Sequence, residues 1–294
     1  MVSLGIDLGG TQIKYGLVRD GQVLRSGCCD TKIEEGYSAV VQRMARQAET
    51  VINGEPVEFV GIASPGLIDT QRGVVRYSNN FGWRDMPLAA DVAASLRLPA
   101  RIANDAQCAA LGEARYGAGR GAARMAMITI GTGVGGGFVR DGRLETDGYG
   151  SMAYIFGHSI IAYDGKLCNC GRRGCLETYA SASAIAKRGA QVFAGEKSVR
   201  EIFELARGGD AVAQGVLREF VEYLTAGVVN IANILRPHLV VLGGGVSASG
   251  DLLLPAVNKG LEKGVYGYAY APVKAVCAQL GNQAGVVGAA SLLE

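Results

Sequence analysis

Residues 10–21 (GTQIKYGLVRDG) and 131–142 (GTGVGGGFVRDG) carry one pattern twice. At a constant offset of 121 they agree at seven of twelve positions: Gly10/Gly131, Thr11/Thr132, Gly16/Gly137, Val18/Val139, Arg19/Arg140, Asp20/Asp141 and Gly21/Gly142. Each copy reads as a strand, a Gly-Thr loop, a second strand and an Asp-Gly hairpin turn. Asp-Gly hairpins also resemble one another by chance, but a match of this density points to two lobes of related topology. Each lobe would offer one Gly-rich loop to a shared cleft.

The rest of the pattern is α/β. Leu4–Val18 is apolar around the Gly9-Gly10-Thr11 break, and Gln22–Cys29 returns as a strand. Helical spacing covers 39–52, 88–96, 106–116, 180–193, 199–206, 211–235 and 285–293. Buried strands are expected at 57–63 and 239–242, a short strand end at 101–103 and a late strand at 273–278. The chain is expected to form an N-terminal α/β domain over 1–116, rejoined by a final helix at 283–294. A larger α/β domain would occupy 117–282.

Net charge is +2 over 294 residues, so no broad basic field calls for a nucleic-acid or membrane partner. No apolar run reaches membrane-spanning length, and Met1–Gly10 is strand-like rather than a charged leader with an apolar core. With seven cysteines, three of them clustered, the expected compartment is the reducing cytoplasm.

Three glycine loops are candidate phosphate sites. Gly9, Gly10 and Thr11 follow an apolar strand carrying Asp7. Bare backbone N–H groups and a hydroxyl suit phosphate, and Asp7 makes sense there as a holder of Mg²⁺. Gly131, Thr132 and Gly133 open a run that literally satisfies G-x-G-x-x-G. The dinucleotide reading requires a helix next, whereas strand and hairpin turn follow. A P-loop pattern is lacking, so two Gly-Thr loops clamping one triphosphate fit better. Gly243-Gly244-Gly245 after a buried strand fits either nucleotide contact or tight packing.

Cys168, Cys170 and Cys175 fall within eight residues, with His158 ten residues upstream. Cys₃His is a structural zinc shell with no open position for water. His158 alone would read as a core histidine; beside three cysteines it reads as a ligand. Asn104-Asp105 starts a helix, which N-capping alone would explain. Phosphoryl transfer, however, needs a carboxylate to take the proton of the attacking hydroxyl, and Asp105 stands at a strand's carboxyl end.

At this point the chain resembles the ROK family of bacterial sugar kinases and sugar-responsive repressors. The resemblance rests on Asp7–Thr11, Ala63–Asp69, Asn79–Trp83, Asn104–Glu113, the loop at 131–137, Gly157-His158 with Cys168…Cys175-x-Glu177, and Gly243–Gly245. It implies a two-domain sugar kinase/actin-like ATPase fold with an interdomain active-site cleft. It also implies ATP-dependent phosphorylation of a hexose or N-acetylhexosamine, glucokinase-like, with Asp105 as general base. Gly66, Asn79, Asn104, Asp105, His158 and Glu177 match sugar-contacting positions. Asp7, Gly9, Gly10, Thr11, Gly131, Thr132, Gly133, Gly244 and Gly245 match the ATP side. The family's metals are Zn²⁺ and Mg²⁺, and a homodimer or homotetramer is usual.

The family motif Glu-x-Gly-His is here Ile155-Phe156-Gly157-His158, and residues 147–152 look one residue longer than usual. An apolar side chain accepts no hydroxyl hydrogen bond, so altered specificity or non-catalytic sugar binding is the alternative. A repressor would need a helix-turn-helix domain ahead of the first loop. Only six residues precede Asp7, so the kinase is expected.

Overall fold

The computed structural model describes residues 1–146 and 154–293. Two five-stranded sheets carry the molecule. The first has order β3-β2-β1-β4-β8, from β1 (Val2–Leu8), β2 (Gln12–Arg19), β3 (Gln22–Asp30), β4 (Phe59–Ser64) and β8 (Ala100–Asn104). The second has order β11-β10-β9-β12-β13, from β9 (Arg124–Ile130), β10 (Val134–Arg140), β11 (Arg143–Leu144), β12 (Leu239–Gly243) and β13 (Lys274–Cys277). Counted in chain order, both run third, second, first, fourth, fifth. The internal repeat is therefore a repeat of topology. Its turns also match: Asp20 and Gly21 have φ of 50° and 77°, Asp141 and Gly142 of 50° and 73°, the positive pair that a two-residue hairpin requires.

The chain divides into two compact units, 1–123 with 137–154 and 279–294, and 124–136 with 155–278. The boundaries differ from those expected at 116/117 and 282/283. The linker Gly117–Ala123 stays with the first unit, and the chain returns to that unit over 137–154. Glu113 shows why the linker does so. This fully buried carboxylate accepts N–H bonds from Ala118 (2.8 Å), Gln279 (2.9 and 3.1 Å) and Leu280 (2.7 Å). A buried charge is tolerable only when satisfied in this way.

In the first unit, α1 (Tyr37–Ile52) turns Val40, Met44, Ala48 and Val51 inward at helical spacing. They meet Leu4, Ile6, Leu8, Tyr15 and Leu17 of the sheet, with Leu88 and Val92 of α2 (Leu88–Leu96). On the other face lie α3 (Asp105–Tyr116) and the last helix, α8 (Ala284–Ala290). A Cβ at Gly288 would fall 1.6 Å from the Cys108 carbonyl oxygen, so α3 and α8 touch backbone to backbone. The final helix ends at Ala290, short of the expected 293.

The second unit carries α4 (Ala182–Val192), α5 (Val199–Arg207), α6 (Ala211–Leu235) and α7 (Gly250–Gly264). Asp210 caps α6, and Arg236 in the left-handed region ends it one residue before Pro237. Sequence reading missed α7, whose Leu253, Val257 and Leu261 are buried around an internal Pro255. It also missed a three-stranded sheet in the first unit, β5 (Leu67–Asp69), β6 (Val74–Ser78) and β7 (Trp83–Met86). No described helix is long and apolar enough to cross a membrane. The expected extra residue within 147–152 lies outside the described residues.

Candidate active site and metal centre

In the first unit, three adjacent parallel strands end together. The register pairs Asp7 with Ala63 on β1 and β4, and Ala63 with Ala103 and Ser64 with Asn104 on β4 and β8. Carboxyl ends of parallel strands are where open α/β sheets bind ligands. Here they hold Asp7, the Gly9-Gly10-Thr11 turn, Asn104 and Asp105. The Gly9 N–H donates to the Gln12 carbonyl (3.1 Å), and the Thr31 hydroxyl donates to the Gly9 carbonyl (2.7 Å). Gly10 and Thr11 stay exposed.

Asn104 answers the capping question. Its Oδ1 accepts the N–H groups of Ala106 (3.0 Å) and Gln107 (3.4 Å), so the cap of α3 belongs to Asn104. Its amide also donates to the Gly66 carbonyl (3.1 Å). Gly66 has φ of 117°, and a Cβ there would lie 2.3 Å from the Tyr77 oxygen, so the contact requires glycine. Asp105 is the first residue of α3, with Oδ1 also on the Ala106 N–H (2.8 Å). Burial pushes its carboxyl above the ordinary aspartate range, against the pull of that N–H. Asp7 is pushed up to about 6, by burial and then by the Asp105 charge, with Lys14 pulling the other way. Two carboxylates in electrostatic contact beside a glycine turn make a place for a cation and a base. Asn79 lies between β6 and β7, exposed, its Oδ1 accepting from the Tyr77 hydroxyl (3.1 Å).

In the second unit, Gly131, Thr132 and Gly245 line one cavity of about 570 Å³ with Phe203, Arg207 and Val246. Gly244 has φ of 82°, and its Cβ would fall 2.4 Å from the Ile130 carbonyl oxygen. The glycine run after β12 thus serves tight packing at Gly244 and the cavity at Gly245. Asp251 holds Arg207 through two bonds (2.8 and 3.0 Å), fixing the guanidinium on the cavity wall. Phe203 and Arg207 escaped sequence reading; helical spacing alone does not say which face of α5 meets a cavity. A larger cavity of about 1030 Å³ in the first unit, beside β8 and α2, contains none of the expected site residues.

Glu177 sits in the second unit beside this loop, its carboxylate accepting the Val134 N–H (2.9 Å). His158, Cys168, Cys170 and Cys175 converge, with their ligand atoms within 4.8 Å of one another. His158 Nδ1 lies 3.7 Å from Cys168 Sγ, and Cys170 Sγ lies 3.7 Å from Cys175 Sγ. A tetrahedron with metal–sulfur bonds of about 2.3 Å has edges of about 3.8 Å. The cluster can therefore hold a metal ion.

The ROK family model matches residues 3–294. A glucokinase of Thermotoga maritima is 37% identical, over 99% of this chain and 96% of its own. A ROK family glucokinase from Streptomyces griseus, solved with glucose and AMPPNP, is 34% identical with a TM-score of 0.87 over 99% of both chains. A ROK hexokinase from Thermus thermophilus is 32% identical with a TM-score of 0.85 over 99% of this chain and 97% of its own. The fold is that of the ROK sugar kinases, of the actin-like ATPase type. The chain belongs to the ROK family.

Proposed function

We propose that the protein transfers the γ-phosphoryl group of ATP to a hydroxyl of a hexose or N-acetylhexosamine, with Asp105 as general base. One observation carries the residue assignment: Asp105 keeps a raised carboxyl beside Asp7 while Asn104 takes the helix cap. A carboxylate of raised pKa at the end of a strand is a better proton acceptor than an ordinary surface aspartate. In the reaction, Asp105 draws the proton from the attacking hydroxyl. The N–H groups of the glycine loops, other than those of Gly9 and Gly131, which bond the Gln12 and Gly133 carbonyls, would meet the triphosphate oxygens. Mg²⁺ would be held by Asp7, directly or through water, and supplies neutralisation of phosphate charge. Gly9, Gly10, Thr11, Gly131, Thr132, Gly133, Gly244 and Gly245 are assigned to ATP. To sugar we assign Gly66, Asn79, Asn104 and Asp105 in the first unit, and His158 and Glu177 in the second.

The chemistry of the donor set, three thiols and one imidazole at tetrahedral spacing, favours Zn²⁺ in a structural role. Such a set needs a reducing compartment, which supports the cytoplasm. A homodimer or homotetramer is part of the proposal, tested by sedimentation. The kinase reading is tested by ADP release over a panel of hexoses and hexosamines with ATP and Mg²⁺. Turnover of one or more sugars is expected, and none on any of them would sink it.

Ile155 favours a second reading. It is 45% exposed, directly before the turn that carries His158. Where the family places a hydroxyl-binding glutamate, this chain offers no acceptor, which suits a sugar lacking or modified at that hydroxyl, or sugar binding without transfer. Ile155→Glu should raise turnover on glucose. Unchanged turnover would clear Ile155 of responsibility.

A further inference from the structure

The resemblance that assigns Glu177 to sugar accounts for only part of its surroundings. One carboxylate oxygen, Oε2, accepts the backbone N–H of Val134 at 2.9 Å, inside the Gly-rich loop. The same oxygen would lie 2.3 Å from a Cβ at Gly133, so a side chain before Val134 would push the carboxylate out of its present place. The backbone that carries it is anchored. Glu177 rides on a short turn, Leu176–Thr178, whose Leu176 is fully buried against Gly227 of α6 and whose Thr178 hydroxyl bonds the Cys175 carbonyl at 2.7 Å. Two further bonds tie the following segment to the same loop. The Ala182 N–H donates to the Gly131 carbonyl (2.8 Å) and the Ser183 hydroxyl to the Thr132 carbonyl (2.7 Å). Gly131 and Thr132 in turn line the 570 Å³ cavity.

We infer that Glu177 is a positioning residue for the nucleotide loop, setting the geometry of 131–134 whether or not a sugar is bound. The inference rests on assigning that loop and cavity to ATP. The sign of the expected effect separates it from simpler accounts. A carboxylate beside a triphosphate repels it, so a Glu177 without a positioning role would, on removal, leave nucleotide binding unchanged or tighten it. A Glu177 that shapes the loop would, on removal, loosen it. Without its acceptor the Val134 N–H must turn to water, and the loop samples arrangements in which its other N–H groups miss the phosphates.

The test is calorimetric titration of the full chain with AMPPNP and Mg²⁺, without sugar, for wild type, Glu177→Ala and Glu177→Gln. Circular dichroism checks that each variant is folded. Glutamine keeps an oxygen that can accept from Val134, so it should bind nucleotide within about threefold of wild type. Alanine should lose about tenfold, the scale of one hydrogen bond to a charged group. Affinity in Glu177→Ala equal to or tighter than wild type overturns the inference, and so does an equal loss in both variants. If Glu177→Ala fails to fold, Glu177→Asp, too short to reach Val134, takes its place with the same expected loss. A wild-type chain that binds no AMPPNP would instead refute the ATP assignment itself.

Discussion

Asp7 offers the sharpest test of the site because its environment works against the fold. Its carboxyl is pushed up to about 6 from an ordinary 3.8, first by burial and second by the Asp105 charge. In the unfolded chain the group ionises near its ordinary value, so between about pH 4 and about pH 6 the native state binds more protons than the unfolded one. Stability therefore falls as pH rises through that window and stays low above it. A separation of about 2 pH units, at about 1.4 kcal/mol each, puts the cost at pH 7 near 3 kcal/mol as a ceiling. Asp7→Asn removes the ionisation while keeping the shape. It should raise stability at neutral pH by up to about 3 kcal/mol, flatten the loss between about pH 4 and about pH 6, and abolish turnover. Mg²⁺ added alone should stabilise wild type more than the variant, which keeps only the Asp105 carboxylate there, since a cation relieves the burial cost only where a charge exists. Urea titrations across that pH range, with and without Mg²⁺, give all these numbers. A variant less stable than wild type at neutral pH, or an unchanged pH profile, would refute the reasoning.

Asp105→Asn should lower kcat by about 10²- to 10⁴-fold, the range for a lost general base, with sugar KM within a fewfold of wild type; steady-state kinetics reads both. Gly244→Ala forces a side chain to φ of 82° and onto the Ile130 backbone, so it should cost on the order of 1–3 kcal/mol and weaken AMPPNP binding, read by thermal unfolding and calorimetry. Cys175→Ser should abolish stoichiometric zinc by elemental analysis and lower the unfolding midpoint, because Cys175 is fully buried and closes the four-ligand set.

Local chemistry was legible where it had a local cause. The Asp-Gly turns rest on residues that accept positive φ, and the helix start at Asn104 rests on a side chain that bonds the nearby backbone. The Cys₃His cluster was legible because Cys168, Cys170 and Cys175 sit close in sequence and must fold onto one point. α7 was hidden by Gly250, Pro255, Gly260 and Gly264, which read as breakers, while its stability comes from burial of Leu253, Val257 and Leu261. The short strands of β5–β7 gain their order from pairing with one another, which no single segment announces. The contact of Glu177 with Val134 joins residues 43 apart and leaves no spacing signal at all.

On the proposed assignment, the repeated hairpin gives one scaffold two kinds of phosphate contact. At the shared offset of 121, Asp7 corresponds to Ile128, Gln12 to Gly133, Lys14 to Gly135 and Tyr15 to Gly136. The first copy keeps side chains: Asp7 and Lys14 sit opposite each other across β1 and β2, and Lys14 tempers the raised Asp7 carboxyl. The second copy replaces the carboxylate with a fully buried isoleucine and sheds the side chains that follow. With glutamine in place of Gly133, a Cβ would fall 2.3 Å from Glu177 Oε2, so the carboxylate would have to shift from its present contact with the Val134 N–H. The chemistry therefore divides by what each loop leaves bare. On the proposed assignment the first loop, beside Asp7, suits a cation, and the second, whose carboxylate neighbour Glu177 is engaged by the Val134 N–H, suits the phosphate oxygens. Transplanting the first pattern into the second, as in Gly133→Gln, should accordingly break the Glu177 contact and weaken AMPPNP binding by at least the roughly tenfold scale of that one charged hydrogen bond. Undiminished binding in that variant would show that the bare loop is a packing accommodation with no part in holding the nucleotide.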